Sequence, residues 1–549
     1  MSKRRFDSDD LFDWPIKRSR SSNEDRLSRL SDELLLRILS HLPVATLLTC
    51  QRLSHRFQSI ASDSQLWKSA YYNRFVRPRA SRIPGIKDNA TPTGHLLYSS
   101  RSSKWLDDEG LVRRGQGTNW KRQYKLRHNW SKGNCDVSEI QVAERPTIPP
   151  LLVRLHERTI ITVDSTAGLR AWGMKEDQKL LASRDIPAIH GAATSLALDT
   201  TENNTKDIEI AVGFEDGAFE TFTLDRDSAT IDHRCTHPPS TNGMVTAVAF
   251  SWPYLVTMTE GQLLSVYTFG PIGNRDQLPD VVDSPRLLSS LKSHTVWPPL
   301  CLSIRPSSQR IVVSIAYALP TYLSGWSVGI QELWVTFEGD ISESRLASAV
   351  TQGFQPLSPS PSGASSPSPS RNDRDFNYSL AKPTSLSYSH PYLLASHPDN
   401  TLTLYLVTST ATKLSIGSGT RLWGHTSSVS GAHVGGKGKA VSVSTPGDEL
   451  RLWELEGGVN TASSRRKLAS GTMSVRVQPE TRLRTENPKL ELVSKTEARP
   501  SETRLSSLLR EAPEDLVITK GWVDFDDEKV VVLREKGHGG QALVVYDFT

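Results

Sequence analysis

Little in this chain is arranged to do covalent chemistry. Cys50, Cys135, Cys235 and Cys301 lie far apart and form no C-x-x-C pair. They make neither a zinc ribbon nor a disulfide scaffold, and such sparse use suits a reducing compartment. His425 and His538 have no partners at metal-ligand spacing. Asp524, Asp526 and Asp527 gather carboxylates, but a solvated turn explains them better than a calcium loop. Gly435-Gly436-Lys437-Gly438 reads as a hairpin turn rather than a phosphate cradle. No P-loop, no G-x-S-x-G and no G-x-G-x-x-G between strand and helix occurs. Cys50 falls in an apolar helical pattern and reads as a buried small side chain, not a nucleophile. The expectation is a chain with no catalytic residue, no metal and no cofactor.

What remains is the chemistry of modification and binding. Ser358, Ser360, Ser366 and Ser368 each precede a proline, which fits proline-directed phosphorylation of a tract that has no means of packing a core. Lys3-Arg4-Arg5 and Lys17-Arg18-Ser19-Arg20 stand in a charged, Ser-rich tail over residues 1–26. Their spacing looks like a bipartite nuclear import signal, implying a nuclear and/or cytoplasmic location. Between Arg101 and Lys132 basic residues alternate with Trp105, Trp120, Tyr124 and Trp130. Such a stretch binds nucleic acid, or docks on neighbouring domains with cation–π contacts. Docking is the better reading, because the whole chain carries only +5 from 65 basic and 60 acidic residues. No run approaches 18 apolar residues, so no membrane helix is expected. The N-terminus lacks the apolar segment of a secretory signal.

These groups must be held by some fold, and 549 residues suggest roughly three to five domains, or one repeat array with attachments. Residues 27–75 carry a helical stripe: Leu34, Leu35, Ile38, Leu39 and Leu42 share one face. Ser31 is placed to cap that helix and Pro43 to end it. Shorter helices follow around Leu47-Leu48, around Phe57 and Ile60, and from Ser64 through Leu66-Trp67. Four short helices make a bundle too small to bury all its apolar faces, so the stripe implies a partner. Residues 76–132 connect this bundle to the rest.

From residue 133 onward a strand–turn–strand unit recurs. It appears at 151–172, 194–222, 245–269, 300–337, 384–407, 423–455 and 515–548, with period-2 alternation and Gly/Asp turns. Seven units at this spacing predict a mainly β fold, a seven-bladed propeller. Two stretches, about 340–380 and 457–511, read as disordered insertions. The last unit offers three strands, so its four-stranded blade lacks an outer strand. Asp136–Val142 alternates and precedes the first unit. It is expected to supply the missing strand and tie the ring.

The 27–75 segment resembles the F-box in Leu27, Leu30, Glu33, Leu34, Ile38, Leu39 and Leu42, then Leu47-Leu48, Leu53-Ser54, Phe57, Ile60-Ala61 and Leu66-Trp67. It departs at Ser31, where the family usually has proline. The propeller region resembles WD repeats. Its best unit has Gly424-His425, a strand Ser442 or Ser444, Asp448 in a turn and Trp453; Trp172 marks the same place in the first unit. The stretch QYKLRHNWSKGNC (123–135) is similar to the connector that precedes the propeller in F-box proteins with WD repeats.

The resemblance implies a non-catalytic substrate-recognition subunit of an SCF-type cullin ubiquitin ligase, acting in protein degradation. The F-box would bind the adaptor subunit, and through it a cullin, while the propeller holds the target protein. Adaptor binding falls to Leu27, Leu30, Leu34, Leu35, Ile38, Leu39, Leu42 and Pro43, with Leu47, Leu48 and Trp67. Receptors of this kind that read phosphorylated targets place arginines near the start of each innermost strand. The positions here are Leu152, Thr194, Thr246, Leu300, Thr384, Ser430 and Thr519. With no guanidinium among them, the usual phosphate pocket is disfavoured, and the target is expected to meet hydroxyl and apolar contacts at Thr194, Thr246, Thr384, Ser430 and Thr519. Two alternatives stay open: a WD-repeat scaffold using the F-box in a cullin-free adaptor complex, and a nuclear RNA- or chromatin-associated platform.

Overall fold

The computed structural model describes residues 27, 29–77, 118–145, 147–156, 158–174, 180–199, 207–269, 285–293, 297–307, 310–320, 325–349, 381–435, 438–445, 447, 449–455, 474–479, 521–535 and 540–549. They divide into two compact units. The described part of the first ends at Tyr124; that of the second begins at Lys125.

The first unit holds α1 (Asp32–Leu39), α2 (Val44–Cys50), α3 (His55–Ala61) and α4 (Ser64–Tyr71), with a π-helical turn at Tyr72–Val76. Side chains cap two of the starts. Ser54 Oγ accepts from the Phe57 N–H, and the Asp63 carboxylate accepts from the Gln65 N–H. Ser31 does not do the same: its side chain makes no cap bond. Instead Arg56 reaches the Asp32 carboxylate at 2.7 Å and the Leu30 carbonyl at 2.6 Å. Pro43 does not end α1, which stops at Leu39; it stands immediately before α2 with φ −65°, the angle its ring imposes and a helix start accepts.

The core of this unit shows how its four short helices are completed. Leu35, Leu39, Leu47, Ile60 and Trp67 are buried together, and Trp120 and Tyr124 pack into the same cluster. Both aromatics come from α5 (Trp120–Lys132). Trp67 donates to the Ala61 carbonyl at 2.9 Å and meets Tyr124 edge-on, with ring centroids 5.5 Å apart. Lys121 Nζ lies 5.7 Å from the Trp67 ring, and Arg74 donates to the Tyr124 hydroxyl at 2.6 Å. Trp120 and Tyr124 of the connector are thus spent on packing, while Trp105 lies outside the described residues. Cys50, expected to be buried, is only half-buried.

In the second unit the described strands form seven sheets. Blade 1 runs through Leu152–His156, Thr159–Asp164, Gly168–Gly173 and Leu180–Arg184. Blade 2 comprises Ala193–Leu198, Asp207–Phe214, Phe219–Asp225 and Thr230–His237; blade 3, Val245–Ser251, Tyr254–Thr259, Leu263–Thr268 and Arg286–Lys292. Blade 4 is Trp297–Pro306, Ile311–Pro320, Trp326–Val335 and Ile341–Ser348. Blade 5 is Ser385–Ser389, Tyr392–Ser396 and Thr401–Ser409, with an outer strand split into Leu414–Ile416 and Thr420–Trp423. Blade 6 contains Val429–Val434, Lys439–Ser444, Leu450–Glu454 and Ser474–Arg476. Blade 7 contains Val523–Phe525, Lys529–Glu535 and Gln541–Asp547. Neighbouring blades share apolar clusters, for example Ile161, Leu169, Leu196 and Ile210 between blades 1 and 2. The ring is therefore held chiefly by side-chain packing between sheets, supplemented by single hydrogen bonds such as Val434 N–H to Ser387 Oγ between blades 6 and 5.

Two stretches read as insertions contain strands. Ile341–Ser348 and Ser474–Arg476 are the outer strands of blades 4 and 6. An outer strand covers the sheet edge and buries little; Ile341–Ser348 has one fully buried residue, Arg345. It therefore carries almost no apolar signal.

Closure follows the expected route. Asn134–Ala143 runs antiparallel to Gln541–Asp547, from Asp136 opposite Asp547 to Gln141 opposite Ala542. The strand from the start of the ring completes the last blade. Gly133 makes the turn into it, with φ +75°, where a Cβ would lie 2.4 Å from the Arg476 carbonyl oxygen; any other residue is excluded by both conformation and space. The later half of α5 seals this seam. Trp130 stacks on Phe548 at 4.5 Å and donates to the Asp527 carbonyl, while Asn129 donates to the Phe548 carbonyl.

Candidate functional site

On the helical unit the apolar residues separate into two sets. Leu35, Leu39, Leu47 and Trp67 are at most 2% exposed. They were expected to touch an adaptor, but they form the core of their own unit and hold the helices that present the others. Leu27, Leu34, Ile38, Leu48 and Leu53 are exposed large apolar side chains. Leu34 and Ile38 lie one turn apart on α1, so they form a continuous strip. Leu30 and Leu42 are half-buried and Pro43 is exposed. Leu42 and Pro43 line a groove of about 340 Å³ with Val44, Ser69, Asn73 and Arg74. Leu53, on the turn before α3, belongs with the exposed set. Its place in the motif is legible, but its exposure is not, because a leucine after a helix reads equally as core.

On the propeller, His425, Ser442 and Trp453 meet in blade 6. The Trp453 indole N–H donates to Ser442 Oγ at 2.8 Å, and His425 Nε2 lies 2.6 Å from the same oxygen. The other ring nitrogen of His425 is Nδ1. That nitrogen faces the Glu449 carboxylate at 3.5 Å. Glu449 also accepts from the Thr426 N–H and hydroxyl, each at 2.9 Å, and from Arg451 Nε at 2.7 Å. Burial would raise its pKa; the bonds from Thr426 and Arg451 outweigh that and hold it near 2. Asp448, the expected acid of this set, lies outside the described residues, and its neighbour Glu449 faces the histidine. In blade 1 the Trp172 indole donates to Thr162 Oγ1 at 2.9 Å, and in blade 5 His397 Nε2 meets Thr403 Oγ1 at 2.8 Å. These are buried polar networks that fix blade geometry, and His397 Nδ1 is left without a hydrogen-bond partner among the described residues.

The hydroxyls proposed to meet a target have another occupation. In blades 2, 3 and 6 the register skips one residue at the start of the innermost strand, between Ala193 and Ser195, Val245 and Ala247, and Val429 and Gly431. The skipped residues are Thr194, Thr246 and Ser430, each the extra residue of a β-bulge. Thr194 Oγ1 shares its hydrogen between the Val245 carbonyl at 2.6 Å and the Gly213 carbonyl at 3.1 Å, Thr246 Oγ1 donates to Met258 O, and Ser430 Oγ shares its hydrogen between the Ser444 and Val443 carbonyls. Their hydroxyl hydrogens are spent on the backbone, which explains why Ser or Thr recurs there. Thr384 is half-buried, and its Oγ1 has no partner among the described residues. Leu152 and Leu300 are half-buried and pack on the blades. Thr519 lies outside the described residues, as do Ser358, Ser360, Ser366 and Ser368 and the basic clusters of the tail.

The carboxylate group at 524–527 is not a solvated cluster. Asp524 is a buried residue of blade 7's innermost strand, receiving the Leu155 N–H at 3.4 Å. Asp526 closes a turn by accepting from the N–H groups of Glu528 and Lys529, and burial pushes its pKa up to about 7. Gly435 and Gly438 bond to each other across the turn that the glycine-rich stretch was expected to make. Among the described residues no helix is long and apolar enough to cross a membrane.

A helical unit with an exposed leucine strip and a seven-bladed ring define the class: an F-box protein with a propeller, of the substrate-receptor type. Residues 27–73 match the F-box-like family, and residues 135–549 match the family described as F-box protein pof12 beta-propeller. The chain belongs to that pof12-type propeller family of F-box proteins. F-box protein dre-1 of Caenorhabditis elegans is 31% identical over 107 residues, 19% of this chain. The match spans only 10% of that relative's length. Among solved structures, the WD40 beta propeller domain of Doa1 aligns at 11% identity over 75% of this chain and 95% of its own, with a TM-score of 0.34. Saccharomyces cerevisiae Sqt1 aligns at 10% over 75% and 99%, TM-score 0.35. YCF48 bound to D1 peptide aligns at 10% over 75% and 94%, TM-score 0.39. F-box and WD-type propeller families are typically non-catalytic, and F-box domains generally bind adaptor subunits of cullin complexes.

Proposed function

We propose that this protein is the substrate-recognition subunit of an SCF-type cullin ubiquitin ligase. The exposed side chains of Leu27, Leu34, Ile38, Leu48 and Leu53 carry the reading. So many large apolar groups stay in water on a small helical unit because a partner covers them. The adaptor subunit is that partner, and it links the chain to a cullin. The propeller binds the target protein and holds its lysines near a charged conjugating enzyme. Catalysis is then positional: the receptor supplies effective concentration, not a reacting group.

The test is co-purification of adaptor and cullin with wild type and with Leu34→Ala/Ile38→Ala. Both side chains are exposed, so the variant keeps its core and folds. Recovery of adaptor and cullin by wild type, and loss of both by the variant, is expected. Adaptor without cullin would replace the ligase reading with a scaffold; no adaptor at all would overturn the F-box assignment of function. The basic clusters at 3–5 and 17–20 support a nuclear as well as cytoplasmic location. Cytoplasmic restriction of a fluorescent fusion lacking residues 1–26 would bear this out. Phosphorylation at Ser358, Ser360, Ser366 and Ser368 is proposed to regulate the receptor's turnover, to be read by comparing its half-life with that of the fourfold alanine variant.

A further inference from the structure

The antiparallel order within each blade puts three kinds of connection on one face of the ring. They are the approach to the innermost strand, the turn between second and third strands, and the exit from the outer strand. Exposed large apolar residues stand on this face in blades 1, 2 and 4. Ile148 is 91% exposed on the approach to blade 1, Ile189 is 82% exposed on the approach to blade 2, and Trp297 is 46% exposed where blade 4 begins.

The turn carboxylates on this face are of two kinds. In blades 1, 5 and 6 an arginine neutralises each: Arg170 on Asp164 at 2.6 Å, Arg421 on Asp399 at 2.8 Å, and Arg451 on Glu449 at 2.7 Å. In blade 2 the turn carries Asp216, 2.7 Å from His190 Nδ1, and the exposed Glu215; in blade 3 it carries the exposed Glu260; no arginine or lysine pairs with Glu215 or Glu260 among the described residues. Each glutamate lies against a glycine of positive φ before the innermost strand. A Cβ on Gly191 would lie 3.1 Å from Glu215 Oε2, and one on Gly243 would lie 3.0 Å from Glu260 Oε2. Both carboxylates are therefore held over the approach to their own blade.

Blade 2 goes further. Arg170 stands two residues into blade 1's third strand, opposite Thr162 and Ser183. The matching position in blade 2, opposite Val212 and Thr236, is Glu220. Where one blade has the neutralising cation, its neighbour has another acid. Glu220 is 5% exposed, and its Oε2 has no hydrogen-bond partner among the described residues.

We propose that this arc of blades 1 to 4 binds a cationic segment of the target in which lysine or arginine alternates with large apolar side chains. Glu215 and Glu260 receive the cations, and Ile189 and Trp297 cover the apolar groups. The same acidic rim repels phosphate, in keeping with the missing arginines. The inference rests on the reading of the propeller as the target-binding part.

The test uses the full chain and fluorescein-labelled peptides of about twelve residues, one repeating Leu-Arg and one Leu-Glu, followed by anisotropy. The basic peptide is expected to bind and the acidic one not to, with affinity falling as salt rises from about 50 to about 200 mM. Glu215→Lys/Glu260→Lys should weaken binding by about tenfold or more, whereas Glu338→Lys, in a turn on the opposite face, should leave it within about twofold. Equal binding of both peptides, no binding of the basic one, or equal losses in the two variants would overturn the proposal. Binding that appears only when residues 1–26 are removed would also overturn it, making the chain's own basic tail the occupant. Adaptor recovery from the same preparations tests the receptor reading separately. Its loss with peptide binding intact defeats that reading alone, and the reverse defeats only the site.

Discussion

Consider Ile140→Ala, at the middle of the strand that closes the ring. Ile140 is 4% exposed and sits among Val153 and Ile160 of blade 1 and Val531 and Leu543 of blade 7. The substitution deletes buried methyl groups from the seam where the two ends of the propeller meet. Strands held in register on both sides cannot collapse into the gap, so a cost of about 2–5 kcal/mol is expected. Val137, on the same strand but 44% exposed, provides the comparison; Val137→Ala should cost less than about 1 kcal/mol. Urea unfolding of the full chain, read by tryptophan fluorescence, distinguishes them, since Trp172 and Trp522 pack at this seam. With a slope of about 3 kcal/mol per molar urea for a ring of this size, a loss of about 3 kcal/mol moves the midpoint by about 1 M. Equal midpoint shifts for the two variants would refute the closure argument, because strand 134–143 would then carry no more load than an ornament on the sheet edge.

Ser442→Ala removes the one oxygen shared by Trp453 and His425 and leaves two buried groups unsatisfied, so denaturation should show a loss of about 2–4 kcal/mol. His397 has its pKa lowered to about 4, chiefly by burial. The folded state thus resists the proton that the unfolded state takes up below about pH 6.5. Stability falls as pH drops from there towards 4, by about 3 kcal/mol in total, and the loss should be absent from His397→Gln when both are titrated. Glu332 is fully buried between Arg305 and Arg345. Glu332→Gln strands two guanidinium groups and should cost about 3–5 kcal/mol by the same assay. Ser31 has φ −65° and ψ 157° and makes no side-chain cap, so Ser31→Pro should raise the stability of the helical unit by about 0.4–1 kcal/mol. A loss of adaptor binding in that variant would instead show that the serine is required.

The sequence was most legible where burial is two-sided. Second strands such as Asp207–Phe214 and Lys529–Glu535 hold unbroken apolar runs, IAVGF and VVVL, and the closing strand could be placed by counting. Outer strands were lost, because Ile341–Ser348 and Ser474–Arg476 face solvent and read as linker. At the helical unit the motif placed the helices but could not sort its leucines. Leu34 and Leu35 are adjacent and equally apolar, yet one is exposed and the other buried; only packing against Trp67 and Tyr124 decides which. The hydroxyls at Thr194, Thr246 and Ser430 recur for the sake of a bulge, a signal that resembles a binding pattern when only sequence is read. The charge asymmetry among blades was invisible, because it depends on which arginine reaches which turn.

The closing strand also bears on how the protein is made. Residues 134–143 leave the ribosome roughly 400 residues before their partner, 541–547. At about 5–20 residues per second that is a wait of roughly 20–80 seconds. During it one strand has no neighbour, and blade 1 presents Val153 and Ile160 without their cover. Nascent chains of this design are exposed to strand exchange with one another until the last blade arrives. A cell producing the protein quickly, on crowded messages, should therefore depend on chaperones more steeply than its final stability would suggest.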